Sequence, residues 1–347
     1  MIEKVLITGG AGFIGINLAE RVINEEKHAV ILDNLSRAGT EKNIEWLKAE
    51  YKDKFTFLKA DVRDANAVNN AVKDVEGVYH LAAQVAMTTS VDNPKEDFDI
   101  NVLGTVNVLE AVRKNNPEAY VVFSSTNKVY GEMSDIKVIE ENKRYCYRDT
   151  EGINENQNLD FHGPYGCSKG AADQYIRDYG RTFDINTTVF RMSAIYGPHQ
   201  MGCEDQGWVA YLSASALLGK PITIYGDGKQ VRDILYVSDL CDIYRKAAYH
   251  NPKGKNKIYN LGGGETNSLS ILELVDLLEK RFNRKIDCSF SDWRIGDQKV
   301  YVTNISKLNK EFQWKPQISR EEGVEKLIRW IESNREILEN TGLRYRK

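Results

Sequence analysis

The stretch Val5-Leu6-Ile7-Thr8-Gly9-Gly10-Ala11-Gly12-Phe13-Ile14-Gly15 decides the fold of this 347-residue chain. Three apolar residues predict a buried strand, and the glycines that follow predict a tight turn before a helix. The glycine spacing differs from the commonest dinucleotide fingerprint, but the context is that of a phosphate-binding turn, where helix N-terminal amides face a pyrophosphate. We therefore expect a dinucleotide to be held by Gly9, Gly12, Phe13, Ile14 and Gly15.

Apolar runs and helical patterns alternate through the first half of the chain. This alternation is typical of an α/β, Rossmann-type doubly wound parallel sheet covered by helices on both faces. The predicted strands are Lys4–Thr8, His28–Asp33, Phe55–Lys59, Gly77–Leu81, Ala119–Ser124 and Thr187–Arg191. The predicted helices between them are Gly12–Asn24, Asp64–Val72, Asp97–Asn115 and Tyr165–Phe183.

After about Tyr196 this rhythm is lost and loops rich in glycine and charge appear. We expect a dinucleotide-binding domain over residues 1–190, with returning segments from 230–262, and a smaller discontinuous C-terminal substrate lobe over 191–347. Amphipathic helices are predicted at Ser270–Phe282 and Arg320–Glu339, with Trp330 and Ile331 on the inner face of the second. The polar stretch 136–158 is interpreted as an insertion or a mobile loop.

The composition of the chain argues against nucleic acid, membrane and metal-ion partners. A formal charge of −3 without a basic run argues against nucleic acid as the main partner. No apolar run reaches the length of a membrane span, and no signal peptide pattern opens the sequence. Five scattered cysteines without a Cys-x-x-Cys pair indicate reduced thiols in a cytoplasmic protein, with no metal site.

Asp33 ends the second predicted strand, about 20 residues after the glycine turn, where a carboxylate accepts hydrogen bonds from the adenosine ribose. That charge would repel a 2′-phosphate, so the sequence favours NAD over NADP. Asn34 and Arg37 follow in the same loop and complete this part of the predicted site. The alternative for Asp33 is an ordinary turn residue at a strand end.

Two further strand ends are expected at the same edge of the sheet. Asp61 and Val62 follow the third strand, and Asp61 is placed to accept from the adenine amino group. After the fourth strand the small side chains of Ala82 and Ala83 leave room for a cofactor, and Leu81 and Gln84 beside them belong to the same predicted site. Close packing at a strand end is an equally good explanation of each taken alone.

The catalytic hypothesis rests on Thr126, Tyr165 and Lys169. Oxidation of an alcohol by hydride transfer needs a base for the hydroxyl proton, and a tyrosine of pKa about 10 needs a positive charge beside it to serve. Lys169 lies one helical turn from Tyr165 and can supply that charge. Thr126 follows the fifth strand and can hold the sugar oxygen, while Ser124, Tyr165 and Lys169 are expected to contact the cofactor. A solvated helix start is the alternative for Tyr165 and Lys169 taken alone.

These residues resemble the extended short-chain dehydrogenase/reductase family, and within it the nucleotide-sugar epimerases and dehydratases. The resemblance covers essentially the whole chain, through Thr8–Gly15, Asp33–Arg37, Asp61–Asp64, His80–Ala83, Ser124–Thr126, Val129–Gly131, Tyr165–Lys169, Arg191, Tyr196–Pro198 and Gln230–Asp233. It implies a bound NAD and a nucleoside-diphosphate sugar substrate. It also implies that Arg232 and Arg294 hold the ribose and diphosphate of that substrate, whereas a surface ion pair is the alternative for either.

The residues after Thr126 bear on the reaction. Dehydratases of this family carry Asp and Glu there as acid and base, but this chain has Asn127 and Lys128. The runs 124–131, 159–169 and 205–209 are most similar to the CDP-tyvelose (CDP-paratose) 2-epimerases. That resemblance implies inversion at C2 of a CDP-hexose through a transient 2-keto sugar, with Asn127 also at the substrate, in surface polysaccharide synthesis.

Other functions stay open on the sequence. A UDP-hexose 4-epimerase would use the same Thr126, Tyr165 and Lys169. A net dehydrogenase would release reduced cofactor with product, and a non-catalytic dinucleotide sensor would keep the fold without needing the Tyr165–Lys169 pair. The resemblance further implies a homodimer or homotetramer, paired through the helices predicted at Asp97–Asn115 and Tyr165–Phe183.

Overall fold

The computed structural model describes residues 3–250, 257–294 and 297–336, which form two units. The first contains the described chain up to Val129 together with Gly163–Arg191 and Cys241–Tyr259. The second contains Tyr130–His162, Met192–Leu240 and the described residues from Asn260 onward.

The first 130 residues alternate strands and helices, as the sequence predicts. In chain order the elements are β1 (Lys4–Thr8), α1 (Phe13–Asn24), β2 (His28–Asp33), α2 (Thr40–Tyr51), β3 (Phe55–Lys59), α3 (Ala65–Ala71), β4 (Gly77–His80), α4 (Met87–Asp92), α5 (Pro94–Phe98), a π-helical turn (Asp99–Leu103), α6 (Gly104–Asn115) and β5 (Tyr120–Thr126).

The rest of the chain adds shorter elements. They are β6 (Val138–Glu141), β7 (Arg144–Tyr147), α7 (Gly163–Thr182), β8 (Thr187–Met192), β9 (Ala194–Tyr196), α8 (Trp208–Leu217), β10 (Ile222–Tyr225), β11 (Val231–Tyr236), α9 (Val237–His250), β12 (Lys257–Leu261), β13 (Ser268–Ser270), α10 (Ile271–Phe282), β14 (Cys288–Ser291), β15 (Val300–Tyr301), α11 (Ser306–Phe312) and α12 (Arg320–Ser333).

A seven-stranded parallel sheet forms the centre of the first unit, in the order β12-β8-β5-β4-β1-β2-β3. The predicted Rossmann-type fold is confirmed. β1 pairs with β2 on one side and with β4 on the other, so the strand order reverses at β1. In open α/β sheets ligands bind at the carboxyl ends of strands beside such a reversal. A ligand site is therefore expected at the ends of β1, β2 and β4.

The sheet forms because its strands are apolar on both faces. Val5, Leu6 and Ile7 are fully buried, and every residue of β5 is buried. Valines and leucines of α6 pack with β1, β4 and β5 in one hydrophobic core. Burial of such side chains contributes about 1.5–3 kcal/mol each.

The second unit has its own core, formed by α8, α10 and α12 over β10 and β11. Ser270 caps α10 and forms a capping box with Glu273, which fixes the predicted start of that helix. Ile331 is buried and Trp330 packs against the same core, as predicted. The last predicted residues of the C-terminal helix, 337–339, lie outside the described residues.

Two expectations differ from the structure. The stretch 136–158 is not a loop throughout, because β6 and β7 form an antiparallel hairpin in it, with Val138 opposite Tyr147. Tyr145 of this hairpin is buried among Val231, Val300 and Val302. The helix predicted from Asp97 begins earlier, at Pro94, and runs without a gap to Asn115, but residues Asp99–Leu103 within it form a π-helical turn. None of the described helices is long and apolar enough to cross a membrane.

Candidate active site

The glycine turn brings β1 and β4 into close contact. Gly9 has a φ of +69°, and a Cβ atom there would lie 2.7 Å from the backbone nitrogen of Ala82. Its own amide donates to the Leu32 carbonyl oxygen at 2.8 Å. Only glycine fits a left-handed backbone at so close an approach. A Cβ on Gly15 would overlap the Gly9 carbonyl, so this second glycine lets α1 begin directly on the turn.

The N-terminus of α1 is open to a ligand's charge. Gly12 precedes the helix, and within the described chain no side chain caps this end and no acidic residue stands in its first turn. Phe13 and Ile14 are half-buried there. Backbone amides at a helix N-terminus and the positive end of its dipole favour an anion such as a pyrophosphate.

Asp33 is fixed beside this turn. One carboxylate oxygen accepts from the Ala11 amide at 3.1 Å and the other from the Leu35 amide at 2.8 Å. Burial raises the pKa of Asp33, and these two amide hydrogen bonds oppose that effect. The aspartate is thus oriented by the glycine turn itself, whereas Arg37 lies on the exposed part of the loop.

Asp61 joins the same edge through Asn34, whose side-chain amide donates to it at 2.7 Å. Arg63 forms a two-point ion pair with Asp61, at 3.0 and 2.8 Å, and its hydrogen bonds lower the pKa of Asp61 to about 2. Arg63 was not predicted as a site residue, although it lies in the family-like segment Asp61–Asp64. The Val62 side chain is buried in the hydrophobic core, which favours close packing as the reason for that residue.

The chain after β4 is tied to β1 and to the π-helical turn. The Leu81 and Ala82 amides donate to the carbonyl and hydroxyl oxygens of Thr8, at 3.1 and 3.3 Å. The Gln84 amide donates to Asn101 at 2.9 Å. Residues 81–84 are all half-buried, so this segment borders solvent beside the glycine turn.

Thr126, Tyr165 and Lys169 lie together in the first unit. Thr126 ends β5, and a hydrogen bond joins its side chain to Tyr165 in the first turn of α7. Lys169, one turn further along α7, is 4% exposed and donates from Nζ to the Ser124 carbonyl at 2.7 Å. The predicted catalytic residues are therefore brought together by β5 and α7.

Burial sets the proton affinities of this pair. It raises the pKa of Tyr165 to about 12, against the lowering effect of the hydrogen bond with Thr126. It lowers the pKa of Lys169 to about 7, and the carboxylates of Asp173 and Asp97 act in the opposite direction. The expectation that Lys169 eases ionisation of Tyr165 is thus outweighed by burial in this structure.

A buried polar network behind Tyr165 was not predicted from the sequence. Asn101, in the π-helical turn, donates to Ser168 at 3.0 Å and to Asp97 at 3.2 Å. Asp97 is 1% exposed, and burial raises the pKa of its carboxyl. The signal in the sequence is weak, because nothing local announces a π-helical turn at Asp99.

Asn127 and Lys128, the two residues after Thr126, carry no carboxylate, and both form hydrogen bonds with the threonine hydroxyl. Thr126 Oγ1 donates to the Asn127 side chain at 3.3 Å and accepts from the Lys128 amide at 3.2 Å. Asn127 is 8% exposed. This arrangement can position a substrate oxygen, but it offers no acid and base pair for elimination.

Arg232 and Arg294 lie in the second unit, each engaged with its own neighbours. Arg232 donates to Asp297 at 2.6 Å, and Arg294 donates to the Glu204 carbonyl at 2.9 Å. A guanidinium has five donors, so neither contact uses up its capacity. Residues 295–296, between Arg294 and Asp297, lie outside the described residues.

All five cysteines are free thiols. Among residues 3–250, 257–294 and 297–336, no cluster of His, Cys, Asp and Glu side chains has the arrangement of a metal site.

Residues 6–327 match the model of the family described as GDP-mannose 4,6 dehydratase. The chain is 45% identical over 340 residues to CDP-paratose 2-epimerase of Salmonella typhi, with 95% of this chain and 99% of that protein covered. It is 34% identical to a putative UDP-glucose 4-epimerase of Methanocaldococcus jannaschii, with 95% and 99% covered. The structure of UDP-glucose 4-epimerase of Thermus thermophilus in complex with NAD superimposes with a TM-score of 0.79 at 29% identity, covering 95% of this chain and 99% of that one.

Proposed function

Since the chain belongs to the GDP-mannose 4,6-dehydratase family of extended short-chain dehydrogenases/reductases, we propose that it is an NAD-dependent isomerase that inverts C2 of a CDP-hexose, as from CDP-paratose to CDP-tyvelose. The likeness to CDP-paratose 2-epimerase carries this proposal, because it extends over nearly the full length of both chains at 45% identity. Relatives named for UDP-sugars are similar over the same length at lower identity.

The residues at the sheet edge fit NAD. Gly9 lets the turn after β1 pack directly against the backbone of Leu81 and Ala82, and the uncapped end of α1 suits a pyrophosphate. Asp33 is oriented to accept from ribose hydroxyls, and its carboxylate disfavours a 2′-phosphate. The holding residues proposed are Gly9, Gly12, Phe13, Ile14, Gly15, Asp33, Asn34, Arg37, Asp61, Val62, Leu81, Ala82, Ala83, Gln84, Ser124, Tyr165 and Lys169. When bound, the cofactor supplies reversible hydride transfer at the sugar carbon.

The protein's own residues handle the proton. Thr126 and Tyr165 are joined by a hydrogen bond, so both can hold the hydroxyl oxygen on C2. Tyr165 accepts the hydroxyl proton as the C2–H bond breaks, and it returns that proton when the 2-keto sugar is reduced on its opposite face. Lys169 supplies positive charge from the next helical turn, and its hydrogen bond to Ser124 keeps it in place.

Dehydration is disfavoured by the same site. Asn127 exchanges no proton, and Lys128 is not a carboxylate base, so removal of water lacks its catalysts. The family is named for a dehydration reaction. This chain has the residues proposed for oxidation and reduction, Thr126, Tyr165 and Lys169, but it lacks the Asp and Glu that would remove water.

The substrate lobe is proposed in the second unit. Arg232 and Arg294 are proposed to hold the diphosphate and ribose, since both guanidinium groups are partly accessible and retain donors. From the sequence we propose a dinucleotide-binding domain over 1–190 with segments of 230–262, and a sugar-nucleotide lobe over 191–347. Within the first of these ranges, residues 130–162, 230–240 and 260–262 lie in the second unit.

The setting of the enzyme is also a proposal. We expect a cytoplasmic enzyme of surface polysaccharide synthesis that assembles with its own copies as a homodimer or homotetramer, without nucleic acid or membrane partners. Large apolar side chains exposed on the π-helical turn and α7, among them Leu103 and Tyr175, support self-association.

The proposed function is tested by incubating the purified protein with CDP-paratose or UDP-glucose, without added cofactor, and separating the products by chromatography. We expect conversion of the CDP-sugar to a C2 epimer and no net rise of absorbance from reduced cofactor. Epimerisation of UDP-glucose alone would make the enzyme a UDP-hexose 4-epimerase. Reduced cofactor accumulating with product would make it a dehydrogenase.

A further inference from the structure

Two parallel strands of the second unit bring Tyr225 and Arg294 into contact. β10 and β14 pair so that Tyr225 stands opposite Ser291, the residue that ends β14. Three residues later the Arg294 guanidinium lies over the Tyr225 ring, 4.1 Å from its centroid. The arginine proposed for the diphosphate is therefore supported by an aromatic face.

Glu204 contacts this pair through both its backbone carbonyl and its side-chain carboxylate. It lies in a tight turn in which Cys203 and Gln206 exchange backbone hydrogen bonds of 2.9 and 3.0 Å. Arg294 donates to the Glu204 carbonyl at 2.9 Å, and the Tyr225 hydroxyl donates to the Glu204 carboxylate at 2.6 Å. We call Glu204, Tyr225 and Arg294 the Glu204 cluster.

The hydrogen bond from the Tyr225 hydroxyl to the Glu204 carboxylate fixes which group donates and which accepts. It is the largest of the effects that raise the pKa of Tyr225, so the hydroxyl stays a donor to the Glu204 side chain. A carboxylate has about four acceptor positions, and one donor does not exhaust them. The Glu204 carboxylate therefore presents acceptor positions only, because it carries no donor hydrogen.

Such a group can tell the two common pyrimidines apart. Cytosine carries an amino group at ring position 4, which donates, whereas uracil carries a carbonyl oxygen there, which accepts. A carboxylate accepts from the amino group and repels the carbonyl oxygen. The neighbouring Gln206 cannot discriminate in this way, because its amide can present either oxygen or nitrogen.

We propose that Glu204 is the specificity residue that selects cytosine, by accepting a hydrogen bond from the amino group at ring position 4. This inference rests on the proposed CDP-sugar function. Arg294 relates the proposed diphosphate and cytosine sites, since it is proposed to bind the diphosphate and it also donates to the Glu204 carbonyl. Tyr225 is a positioning residue that holds the carboxylate in place.

The test is calorimetric titration of CDP and of UDP into the protein as purified, compared between the native chain, Glu204→Gln and Asp205→Asn. The native chain is expected to bind CDP about tenfold or more tightly than UDP, the scale of one good base contact. Glu204→Gln should bring the ratio close to one, mainly by improving the affinity for UDP. Asp205→Asn removes the same charge from the same turn and should leave the ratio unchanged.

The outcomes separate the inference from the function on which it rests. If the native chain prefers CDP and Glu204→Gln keeps that ratio, the role of Glu204 is wrong and the CDP-sugar function stands. If the native chain prefers UDP, both are wrong. Tyr225→Phe provides a second variant that leaves the carboxylate in place: it should reduce the ratio several-fold, and an unchanged ratio would contradict the positioning role.

Discussion

The Tyr165 hydroxyl lies where burial opposes its ionisation, so its action as a base depends on positive charge at the site. Burial raises its pKa to about 12, and the hydrogen bond with Thr126 offsets only part of that rise. Lys169, one turn away and held on the Ser124 carbonyl, supplies that charge below its own pKa of about 7. The identities of these three residues were predictable from their order in the sequence. Their proton affinities were not, because desolvation depends on the finished fold.

At this scale we predict that Tyr165→Phe lowers the epimerisation rate by about 10²–10⁴-fold, the usual contribution of a positioned acid–base group. The ring and its packing are kept, so cofactor content and the midpoint of thermal unfolding should stay close to those of the native chain. The measurement is product formation from CDP-paratose at saturating substrate. A rate within a few fold of the native one would remove Tyr165 from the mechanism.

Lys169 gives a prediction about stability and pH. Its folded pKa of about 7 is below the value of 10.5 for a free lysine, so between these values the unfolded chain binds more protons. Stability therefore rises with pH across this window, by up to about 1.4 kcal/mol per pH unit from this group. Below pH 7 the lysine is charged in both states, and its burial is most costly.

The matched comparison is Lys169→Met, which keeps an unbranched side chain only one atom shorter and removes the titrating group. Urea unfolding of both proteins at pH 6, 7, 8 and 9 should show the native chain gaining stability relative to the variant between pH 7 and 9. Parallel stability curves would mean that Lys169 is not desolvated as described.

At the scale of elements, the turn between β1 and α1 carries the cofactor hypothesis. The bounds of β1, β2 and β3 match the sequence prediction, because buried parallel strands are short apolar runs with clear ends. The π-helical turn and the β6–β7 hairpin were missed for different physical reasons. The first depends on tertiary contacts of Asn101, and the second is a mostly polar hairpin in which Tyr145 is buried against residues distant in sequence.

We predict that Gly9→Ala disrupts this turn. A Cβ atom at a φ of +69° would lie 2.7 Å from the Ala82 nitrogen, so the glycine turn and the segment after β4 must move apart. Strain of this kind costs about 1–3 kcal/mol. We expect the denatured native protein to release bound nucleotide, and we expect the variant to have a lower unfolding midpoint and to release little or none.

Gly219→Ala is the control, because Gly219 also has a positive φ, of +66°, but its nearest neighbour is a flexible arginine end at 3.7 Å. It should cost some stability and leave the nucleotide content unchanged. Equal loss of nucleotide in the two variants would mean that the close approach at Gly9 is not what matters.

At the scale of the whole molecule, the sequence predicted the doubly wound fold, the epimerase class and a second lobe. It did not predict the neighbours of Arg232 and Arg294, since these contacts join residues up to 90 positions apart. Self-association also belongs to this scale. Leu103 and Tyr175 expose 42% and 45% of their surface on the helical segments predicted to pair.

We predict that the double variant Leu103→Asp with Tyr175→Asp shifts the protein to monomer, because two buried charges without partners would oppose association. Light scattering after size exclusion measures the mass. Val138→Asp, at an exposed apolar residue of β6, should leave the mass of the native assembly unchanged. A double variant with that same mass would place the interface elsewhere.

The most direct test of the whole account is NMR of the purified protein with CDP-paratose in deuterated water, with no cofactor added. The account predicts inversion at C2 with the original hydrogen retained, since the hydride leaves and returns within the site while Tyr165 exchanges only the hydroxyl proton. Deuterium at C2 of the product would mean proton abstraction from carbon and would contradict the mechanism. Absence of inversion with folded protein that contains its nucleotide would contradict the proposed substrate.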